Sequence, residues 1–344
     1  MMRVGIVGTK FGESRCRMLA DVPEAKLVAV CGRDPDRTLA LAGRFGCDAV
    51  LDYRQLLERA DIDVIGVYTS TDMHGEIAAA AAAAGKHVIV SKPTAVSVDE
   101  GEAMLAAARA AGVRLVVEFD TRYMAAPYRI YKAIAEGRLG KLIQGDYVNK
   151  CHRGQAYYDE GNRWRAIAEL GGGCLLNQGV HAIDHLLWYQ GAVEGVYALT
   201  GVFAHDIPAE DAASAVVRFC NGSLATMTVT TTYRSGLPDG RYGGGTLKRA
   251  QVHGTLGSAT TEGDAVVNWI VPEDAVAAPI PERPPLNVFQ DLALSLADPA
   301  RRSHTLVVDD LALETVYVTA ALRRSAASGR FVAIEEVVGK HVAA

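Results

Sequence analysis

The sequence lacks several features that mark whole classes of protein. Its six cysteines form no Cys-x-x-Cys pair and no zinc spacing, so we expect buried free thiols and no metal. No run approaches the roughly 18 apolar residues of a membrane span, and no basic-then-apolar leader precedes the first strand. The net charge of −5 and the absence of a long basic run argue against nucleic acid. We therefore expect a cytoplasmic protein with no nucleic-acid or membrane partner.

The order of the predicted elements indicates two domains, which a chain of 344 residues is long enough to form. Up to residue 120, short apolar runs alternate with helical segments, which predicts an α/β fold with a doubly wound parallel sheet. From Thr121 onward, strands follow one another at turn spacing, which predicts an α+β domain with a large, mostly antiparallel open sheet. We place the domains at 1–120 and 121–344, with the C-terminal helix a candidate to pack back on the first domain. A broad sheet of this type commonly associates, so we expect a homodimer or homotetramer.

A glycine turn follows the first predicted strand. Gly8-Thr9-Lys10-Phe11-Gly12 lies within a strand, turn, helix and strand of about 30 residues, the context of a dinucleotide-binding βαβ unit. Glycines let the backbone approach a pyrophosphate, and the helix N-terminus offers N–H groups to it. The motif is imperfect, because Lys10 replaces the second glycine of GxGxxG; a turn that binds no nucleotide is the alternative. A second glycine-rich stretch, Gly240–Gly245, is not followed by Gly-Lys-Ser/Thr and is not a P-loop.

The end of the second predicted strand bears on the choice of cofactor. Gly32-Arg33-Asp34 stands where NAD enzymes tend to place an acid and where an arginine suits the 2′-phosphate of NADP. Arg33 favours NADP(H), and Asp34 keeps NAD(H) as the alternative.

A lysine ends a third apolar run. The buried strand His87–Val90 leads into Ser91-Lys92-Pro93, and Pro93 must end the hydrogen-bond ladder because it has no N–H. The carboxyl ends of parallel strands are where open α/β sheets bind ligands. This position predicts a functional role for Lys92.

The second domain contains a polar line on an otherwise apolar helix. At about 100° per residue, Asn177, His181, Asp184 and Trp188 lie within about 60° of one another. Buried polar groups need hydrogen-bond partners, and a ligand pocket supplies them; a satisfied core histidine is the alternative for His181. His181 and His185 have the i, i+4 spacing of a metal pair, but no HExxH glutamate accompanies them.

Together these motifs resemble the Gfo/Idh/MocA oxidoreductases, sugar and inositol dehydrogenases or reductases that use NAD(P). The resemblance spans nearly the whole chain. It rests on Ala84–Val88 with Lys92-Pro93, Gly171–Gly173 through His181 and Asp184, Phe119 with Arg122-Tyr123, Arg138–Lys141, and His253–Ala259. It implies an N-terminal Rossmann domain and hydride transfer between nicotinamide and a hydroxyl or keto carbon of a sugar, sugar derivative or cyclitol.

The resemblance also implies roles for individual residues. The catalytic residues are Lys92 and His181, with Asn177 beside them. Candidates for cofactor binding are Gly8, Thr9, Lys10, Phe11, Gly12, Arg33, Asp34, Thr69, Ser70, Thr71, His74, Ser91, Lys92 and Pro93. The candidates for substrate binding follow from side-chain chemistry, since aromatic faces suit the C–H surfaces of sugars and polar groups bind their hydroxyls: Arg122, Tyr123, Tyr157, Tyr158, Trp164, Asn177 and Asp184. Ordinary packing is the alternative for Arg122 and the aromatic residues.

Three positions depart from the family pattern. Ser91-Lys92-Pro93 replaces Glu-Lys-Pro, Thr69-Ser70-Thr71 replaces Thr-Pro-Asn, and Lys10 replaces a glycine. The alternative is therefore a non-catalytic NAD(P)-binding sensor or scaffold on the same fold. Retention of both Lys92 and His181 favours the enzyme.

Overall fold

The computed structural model describes residues 1–236, 245–272 and 283–338, so the Gly240–Gly245 stretch, except Gly245, lies outside the described residues. Two compact units are present. The first consists of Met1–Ala95, Asp99–Tyr123 and Pro284–Leu313, and the second of the described residues within Val96–Val98, Met124–Arg283 and Glu314–Ala344. None of the described helices is both long enough and apolar enough to cross a membrane.

The strands and helices are numbered in chain order. The strands are β1 (Met2–Val7), β2 (Ala25–Cys31), β3 (Asp48–Val50), β4 (Val64–Val67), β5 (His87–Ser91), β6 (Leu115–Glu118), β7 (Leu142–Cys151), β8 (Val193–Gly201), β9 (Ala212–Phe219), β10 (Leu224–Thr230), β11 (Thr246–Gly254), β12 (Ser258–Glu262), β13 (Ala265–Ile270), β14 (Val307–Val308) and β15 (Val332–Ala333). The helices are α1 (Gly12–Ala20), α2 (Pro35–Phe45), α3 (Tyr53–Leu57), α4 (His74–Ala83), α5 (Val98–Ala111), α6 (Ala125–Ala135), α7 (Gln155–Asp159), α8 (Val180–Gln190), α9 (Val288–Ala297) and α10 (Leu311–Ser328).

The first unit is built on a seven-stranded sheet in the order β14-β6-β5-β4-β1-β2-β3. Strands β1 to β6 pair in parallel, and β14 adds to the edge in the antiparallel direction. Every residue of β4 and of β6 is buried, as expected for strands covered on both faces. The predicted doubly wound parallel sheet is confirmed. Its carboxyl edge carries the glycine turn and Lys92.

Residues 284–313 belong to the first unit, although they lie far along the chain. A division into two consecutive segments, 1–120 and 121–344, assigns them to the second domain. They supply α9, whose Phe289 is buried in the core of this unit, and β14, whose Val307 pairs with β6. Strand pairing across such a sequence separation depends on tertiary contacts, so no local pattern indicates it. The assignment of functions to two domains stays a prediction.

The C-terminal helix α10 begins in the first unit and continues in the second. Its residues from Glu314 onward belong to the second unit. Leu322 is fully buried in the core of that unit, and Ser325 Oγ accepts a hydrogen bond from Ala198 N at 3.0 Å. Only its first residues, Leu311–Leu313, belong to the first unit.

The second unit is built on an eight-stranded sheet in the order β13-β12-β11-β7-β10-β9-β8-β15. All neighbouring strands pair antiparallel except β7 and β10, which are parallel. Helix α8 covers one face, where Ile183 and Leu186 join a core that includes Val217 and Val229. The predicted, mostly antiparallel sheet is confirmed.

Candidate active site

The turn after β1 has a backbone shape that requires glycine. Gly8 has a φ of 109°, and a Cβ there would lie 2.3 Å from the carbonyl oxygen of Tyr68, so only glycine fits. Helix α1 begins at Gly12, and no described side chain caps its N-terminus. Its first-turn N–H groups are therefore suited to an anionic phosphate. Lys10 and Phe11 are exposed beside the turn, and their contact with a cofactor stays a prediction.

The two residues predicted to read the ribose differ in their contacts. Arg33 is exposed at the carboxyl end of β2. Asp34 is the N-cap of α2, and its Oδ1 accepts a hydrogen bond from Arg37 N at 3.1 Å. Asp34 thus has a structural role that does not depend on a cofactor.

Lys92 is half-buried between Ser91 and Pro93, which are both buried. His74, the first residue of α4, is 1% exposed and contacts both neighbours of the lysine. Its Nδ1 donates to the Pro93 carbonyl oxygen at 3.0 Å, because a carbonyl can only accept, and its Nε2 lies 3.3 Å from Ser91 Oγ. Burial lowers the pKa of His74, which agrees with a neutral ring. Binding of the cofactor by His74 stays a prediction; in the structure it anchors the strand end that carries Lys92.

The segment after β4 lies at the same edge of the sheet. Thr69 Oγ1 donates to the Ser70 carbonyl at 3.2 Å, and Thr71, 2% exposed, begins a short 3₁₀ helix that ends at Met73. The three residues therefore form an ordered turn directly after a strand end. That is the placement expected for a segment that contacts a nucleotide.

A buried ion pair at this edge was not predicted. Glu118, the last residue of β6, is 3% exposed; its Oε2 accepts from Arg15 Nε at 3.1 Å, and Oε1 lies 3.0 Å from Arg15 Nη2. Burial raises the pKa of Glu118, and Arg15 opposes that shift. The Arg15 guanidinium also lies 3.9 Å from the Phe11 ring centroid. The sequence did contain a signal for this pair, because the apolar run Leu115–Glu118 ends in a carboxylate. A carboxylate at the end of a buried strand needs a charged or hydrogen-bonding partner.

Two predicted substrate-binding residues, Arg122 and Tyr123, lie in the segment after β6. A 3₁₀ helix covers Asp120–Tyr123, in which Arg122 is 8% exposed. Tyr123 donates from its hydroxyl to Asp291 Oδ2 at 3.3 Å and packs against the core of the first unit. The structure therefore shows Tyr123 packed in the core, as the alternative of ordinary packing predicted. A role of Tyr123 in substrate binding stays a prediction.

In the second unit, the polar line begins in a π-helical turn. Leu175–Gly179 forms this turn and leads directly into α8. A π turn bonds residue i to i+5, so the uniform 100° spacing assumed from the sequence does not apply from Asn177 to His181. Asn177, His181 and Asp184 are nevertheless all buried, at 7%, 8% and 1% exposed. Single π turns inside helices are frequent at functional sites.

Tyr157 is the aromatic residue that reaches this polar line. Its hydroxyl donates to Asn177 Oδ1 at 2.9 Å, and Gln178 Nε2 donates to the same oxygen at 2.9 Å. Gln178 was not among the predicted residues. Tyr158 instead bonds Thr231 Oγ1 at 2.7 Å and packs edge-on against Tyr157.

Two further ring residues have different surroundings. Trp188 stacks on Tyr131 at 4.7 Å between ring centroids, so it is a core residue of the second unit. Trp164 lies half-buried in a 3₁₀ helix that ends at Ala166, with the Arg165 guanidinium 4.6 Å from its ring centroid. Trp164 is thus placed next to a cation.

A parallel sheet with a glycine turn at the carboxyl edge of its strands is typical of the class of dinucleotide-binding proteins. Residues 2–119 match the family model "Oxidoreductase family, NAD-binding Rossmann fold", and residues 128–260 match "GFO/IDH/MocA C-terminal domain". The two matches together cover more than half of the chain. The chain belongs to the GFO/IDH/MocA oxidoreductase family, as its motifs predicted.

Individual relatives are similar over parts of the sequence. A dTDP-3,4-didehydro-2,6-dideoxy-α-D-glucose 3-reductase of Saccharopolyspora spinosa is 33% identical over 183 residues, 52% of this chain and 53% of the relative. Levoglucosan dehydrogenase of Pseudarthrobacter phenanthrenivorans is 26% identical over 264 residues, 69% and 64%. The alignments thus span between about half and two thirds of these relatives' length.

A solved structure is similar over nearly the whole chain. The WlbA dehydrogenase of Bordetella pertussis, in complex with NADH and UDP-GlcNAcA, superposes with a TM-score of 0.83 at 26% identity. The match covers 96% of this chain and 98% of that one.

Proposed function

We propose that the protein is an NAD(P)-dependent oxidoreductase that transfers hydride between nicotinamide and a hydroxyl or keto carbon of a sugar, sugar derivative or cyclitol. The relatives named above are sugar reductases and dehydrogenases, which supports this substrate class. The observation that carries the proposal is the placement of Lys92. It directly follows β5, an inner strand of the parallel sheet, and His74 anchors the residue on either side of it.

The residues of this chain suit the proton part of the reaction. A bound nicotinamide would supply or accept the hydride. The Lys92 ammonium donates a hydrogen bond to the reacting oxygen and stabilises the negative charge that develops there. The His181 imidazole takes the proton from the hydroxyl during oxidation and returns it during reduction. Asn177 and Asp184 hold neighbouring hydroxyls, and the hydrogen bonds from Tyr157 and Gln178 orient the Asn177 amide.

The test is to remove each proton-handling group and to measure turnover and cofactor binding separately. We expect Lys92→Met to lower kcat by about 10²-fold or more while the Kd of the reduced cofactor changes little, because charge stabilisation is lost and the stem is kept. His181→Asn should lower kcat, because an amide cannot take up and return the proton. Lys26→Met, an exposed lysine on β2, is the control. Unchanged turnover in the Lys92 variant would refute the mechanism, whereas cofactor binding without any turnover by the unmodified protein would favour a non-catalytic NAD(P)-binding sensor or scaffold.

We also propose that NADP(H) is preferred to NAD(H). The exposed guanidinium of Arg33 is available to a 2′-phosphate, whereas the Asp34 carboxylate already caps α2. Arg33→Ala should weaken NADPH binding by about tenfold and leave NADH binding unchanged, since only NADPH carries the phosphate. Fluorescence titration with both cofactors measures this. Tighter binding of NADH than of NADPH by the unmodified protein would contradict the proposal.

The open face of the second unit's sheet supports a homo-oligomer. Helix α8 packs on one face, while on the other Tyr197, Leu199, Val216 and Leu224 are 39%, 61%, 52% and 47% exposed. Tyr197 and Val216 are paired across β8 and β9, so they form part of one apolar surface. Large exposed apolar patches mark interaction sites. A second copy of the chain, related by a two-fold axis, is the occupant we propose.

A further inference from the structure

Arg153 is a half-buried cation without a carboxylate partner in the described part of the chain. It follows β7, and its Nη1 donates to the His152 carbonyl oxygen at 2.8 Å. Its guanidinium carbon lies 5.5 Å from the ring centroid of Tyr157. A guanidinium has five N–H donors, so one bond to a carbonyl leaves most of its hydrogen-bonding capacity and all of its charge uncompensated.

The backbone of Arg153 is fixed on both sides. Its N–H donates to the Thr231 carbonyl at 2.9 Å, and its own carbonyl lies 2.7 Å from His205 Nε2. The other ring nitrogen of His205 lies 2.9 Å from the buried carboxylate of Asp211. The same carboxylate accepts the backbone N–H groups of residues 203–205. A buried polar network thus holds the residue in place, the arrangement that a precise binding group requires.

A second guanidinium lies on the same aromatic ring. The Arg165 guanidinium carbon is 4.7 Å from the Tyr157 ring centroid, and its Nη1 lies 3.3 Å from Glu160 Oε2. Two guanidiniums, those of Arg153 and Arg165, thus lie near the ring of Tyr157, whose hydroxyl bonds Asn177. Their positive charges oppose the rise that burial causes in the pKa of Tyr157.

We propose that the substrate carries an anionic oxygen group, a carboxylate or a phosphate, and that Arg153 binds it. The inference rests on the proposed function, because it assigns a charge to the substrate of the same site. The planar fork of a guanidinium matches both anions in a bidentate geometry. The cation–π contact with Tyr157 stabilises the guanidinium only weakly, by about 0.5–1 kcal/mol at an exposed position, so it does not by itself explain a charged residue here. Arg153 is therefore a specificity-determining residue.

The experiment compares matched sugars that differ at one carbon, where one member of each pair carries an anionic group. Candidate pairs are D-glucose with D-glucuronate, D-galactose with D-galacturonate, and D-glucose with D-glucose 6-phosphate, each assayed for nicotinamide absorbance in both directions with either cofactor. We expect the charged member of a pair to have the higher kcat/KM. The uronates and the sugar phosphate distinguish a carboxylate from a phosphate. Raising the salt concentration should raise KM for the charged member only, since salt screens charges.

Variants assign the effect to Arg153. Arg153→Ala should lower kcat/KM for the charged sugar by about 10- to 100-fold, mostly through KM, and leave the neutral sugar unchanged. Arg153→Lys should recover part of the loss, because it keeps the charge without the fork. Arg249→Ala, which removes an arginine paired with Glu262 on β11 and β12, is the control and should change neither sugar.

The outcomes separate this inference from the proposed function. Turnover of neutral sugars with no advantage for any charged member would overturn the inference and leave the proposed function standing. Equal losses for both members of a pair in Arg153→Ala would also overturn it, because they indicate a structural role. If nothing is turned over, the proposed function fails. Calorimetric titration with D-glucuronate and D-glucose 6-phosphate then tests the inference alone: weaker binding by Arg153→Ala supports it, and binding of neither anion by the unmodified protein overturns it.

Discussion

Removal of the His74 ring should change the position of Lys92 even though the lysine itself is not substituted. The ring is 1% exposed and bonds Pro93 O and Ser91 Oγ at 3.0 and 3.3 Å. His74→Ala deletes both hydrogen bonds, each worth about 1 kcal/mol net, and takes one donor from a buried carbonyl, which costs about 1–3 kcal/mol. We expect the free energy of unfolding to fall by about 3–5 kcal/mol.

The effect on activity follows from the position of the lysine. Lys92 lies between the two residues that His74 anchors, so loss of the ring frees the lysine from its fixed position. A shift of about 1 Å can lower a rate by about 10²-fold, and we expect a decrease of about 10- to 100-fold in kcat. Cofactor affinity should change little. His74→Gln should restore part of both quantities, since an amide can donate to Pro93 and accept from Ser91.

Urea denaturation and steady-state kinetics measure the two effects. Ser91→Ala is the matched comparison: it removes one of the two bonds and leaves the one to Pro93, so it should cost about 1 kcal/mol. If His74→Ala loses no more stability than Ser91→Ala and keeps the original kcat, the anchoring role is wrong.

The same variants change the dependence of stability on pH. Burial lowers the pKa of His74 in the folded protein, so the unfolded chain binds more protons at mildly acidic pH. This contribution is fully present above the unfolded pKa of about 6.5 and is lost as pH falls toward the folded pKa, by at most about 1.4 kcal/mol per pH unit for one proton. His74→Gln should therefore show a shallower loss of stability below pH 6.5. A slope identical to that of the unmodified protein would refute this assignment.

Two further predictions concern the buried ion pair and the open sheet face. Glu118→Gln leaves the Arg15 guanidinium buried without its carboxylate and should lower the free energy of unfolding by about 3–5 kcal/mol. Glu13→Gln, which breaks more exposed ion pairs, is the control and should lower it by less than about 1 kcal/mol. Similar losses of stability in the two variants would contradict a special role for the buried pair. Leu199→Glu should shift the mass measured by light scattering from that of an oligomer to that of a monomer. Leu39→Glu is the control, because Leu39 is equally exposed, at 61%, but lies on the first unit, and this variant should not change the mass. A monomeric mass for the unmodified protein would exclude this interface.

Much of the fold was predictable because its signals are local. Alternating apolar runs and helical segments predicted the parallel sheet, and a proline ended β5 where its missing N–H required. The turn at Gly8 was predictable for the same reason. Helix α9 and strand β14 were not assigned, because residues 284–313 join the first unit only through contacts with distant strands.

The candidate site shows the same division. Its motifs predicted roles for Lys92, Asn177 and His181, and these roles stay predictions. The uniform helical spacing assumed through the last two does not hold, because a π turn precedes α8. Tyr123 was proposed as a substrate contact from its position in a motif. That role stays a prediction, and the structure adds a hydrogen bond from its hydroxyl to Asp291, which is remote in sequence.

The sequence by itself determined which residues stand at strand ends and on the buried helix, since hydrophobic periodicity and the chemistry of glycine and proline act over a few residues. Only the tertiary structure decided what surrounds them. His74 lies against the neighbours of Lys92, Glu118 meets Arg15, and His205 holds the backbone of Arg153. These contacts join groups that are 17 to 103 positions apart, and buried polar groups find partners through packing of the whole unit, which no short pattern encodes.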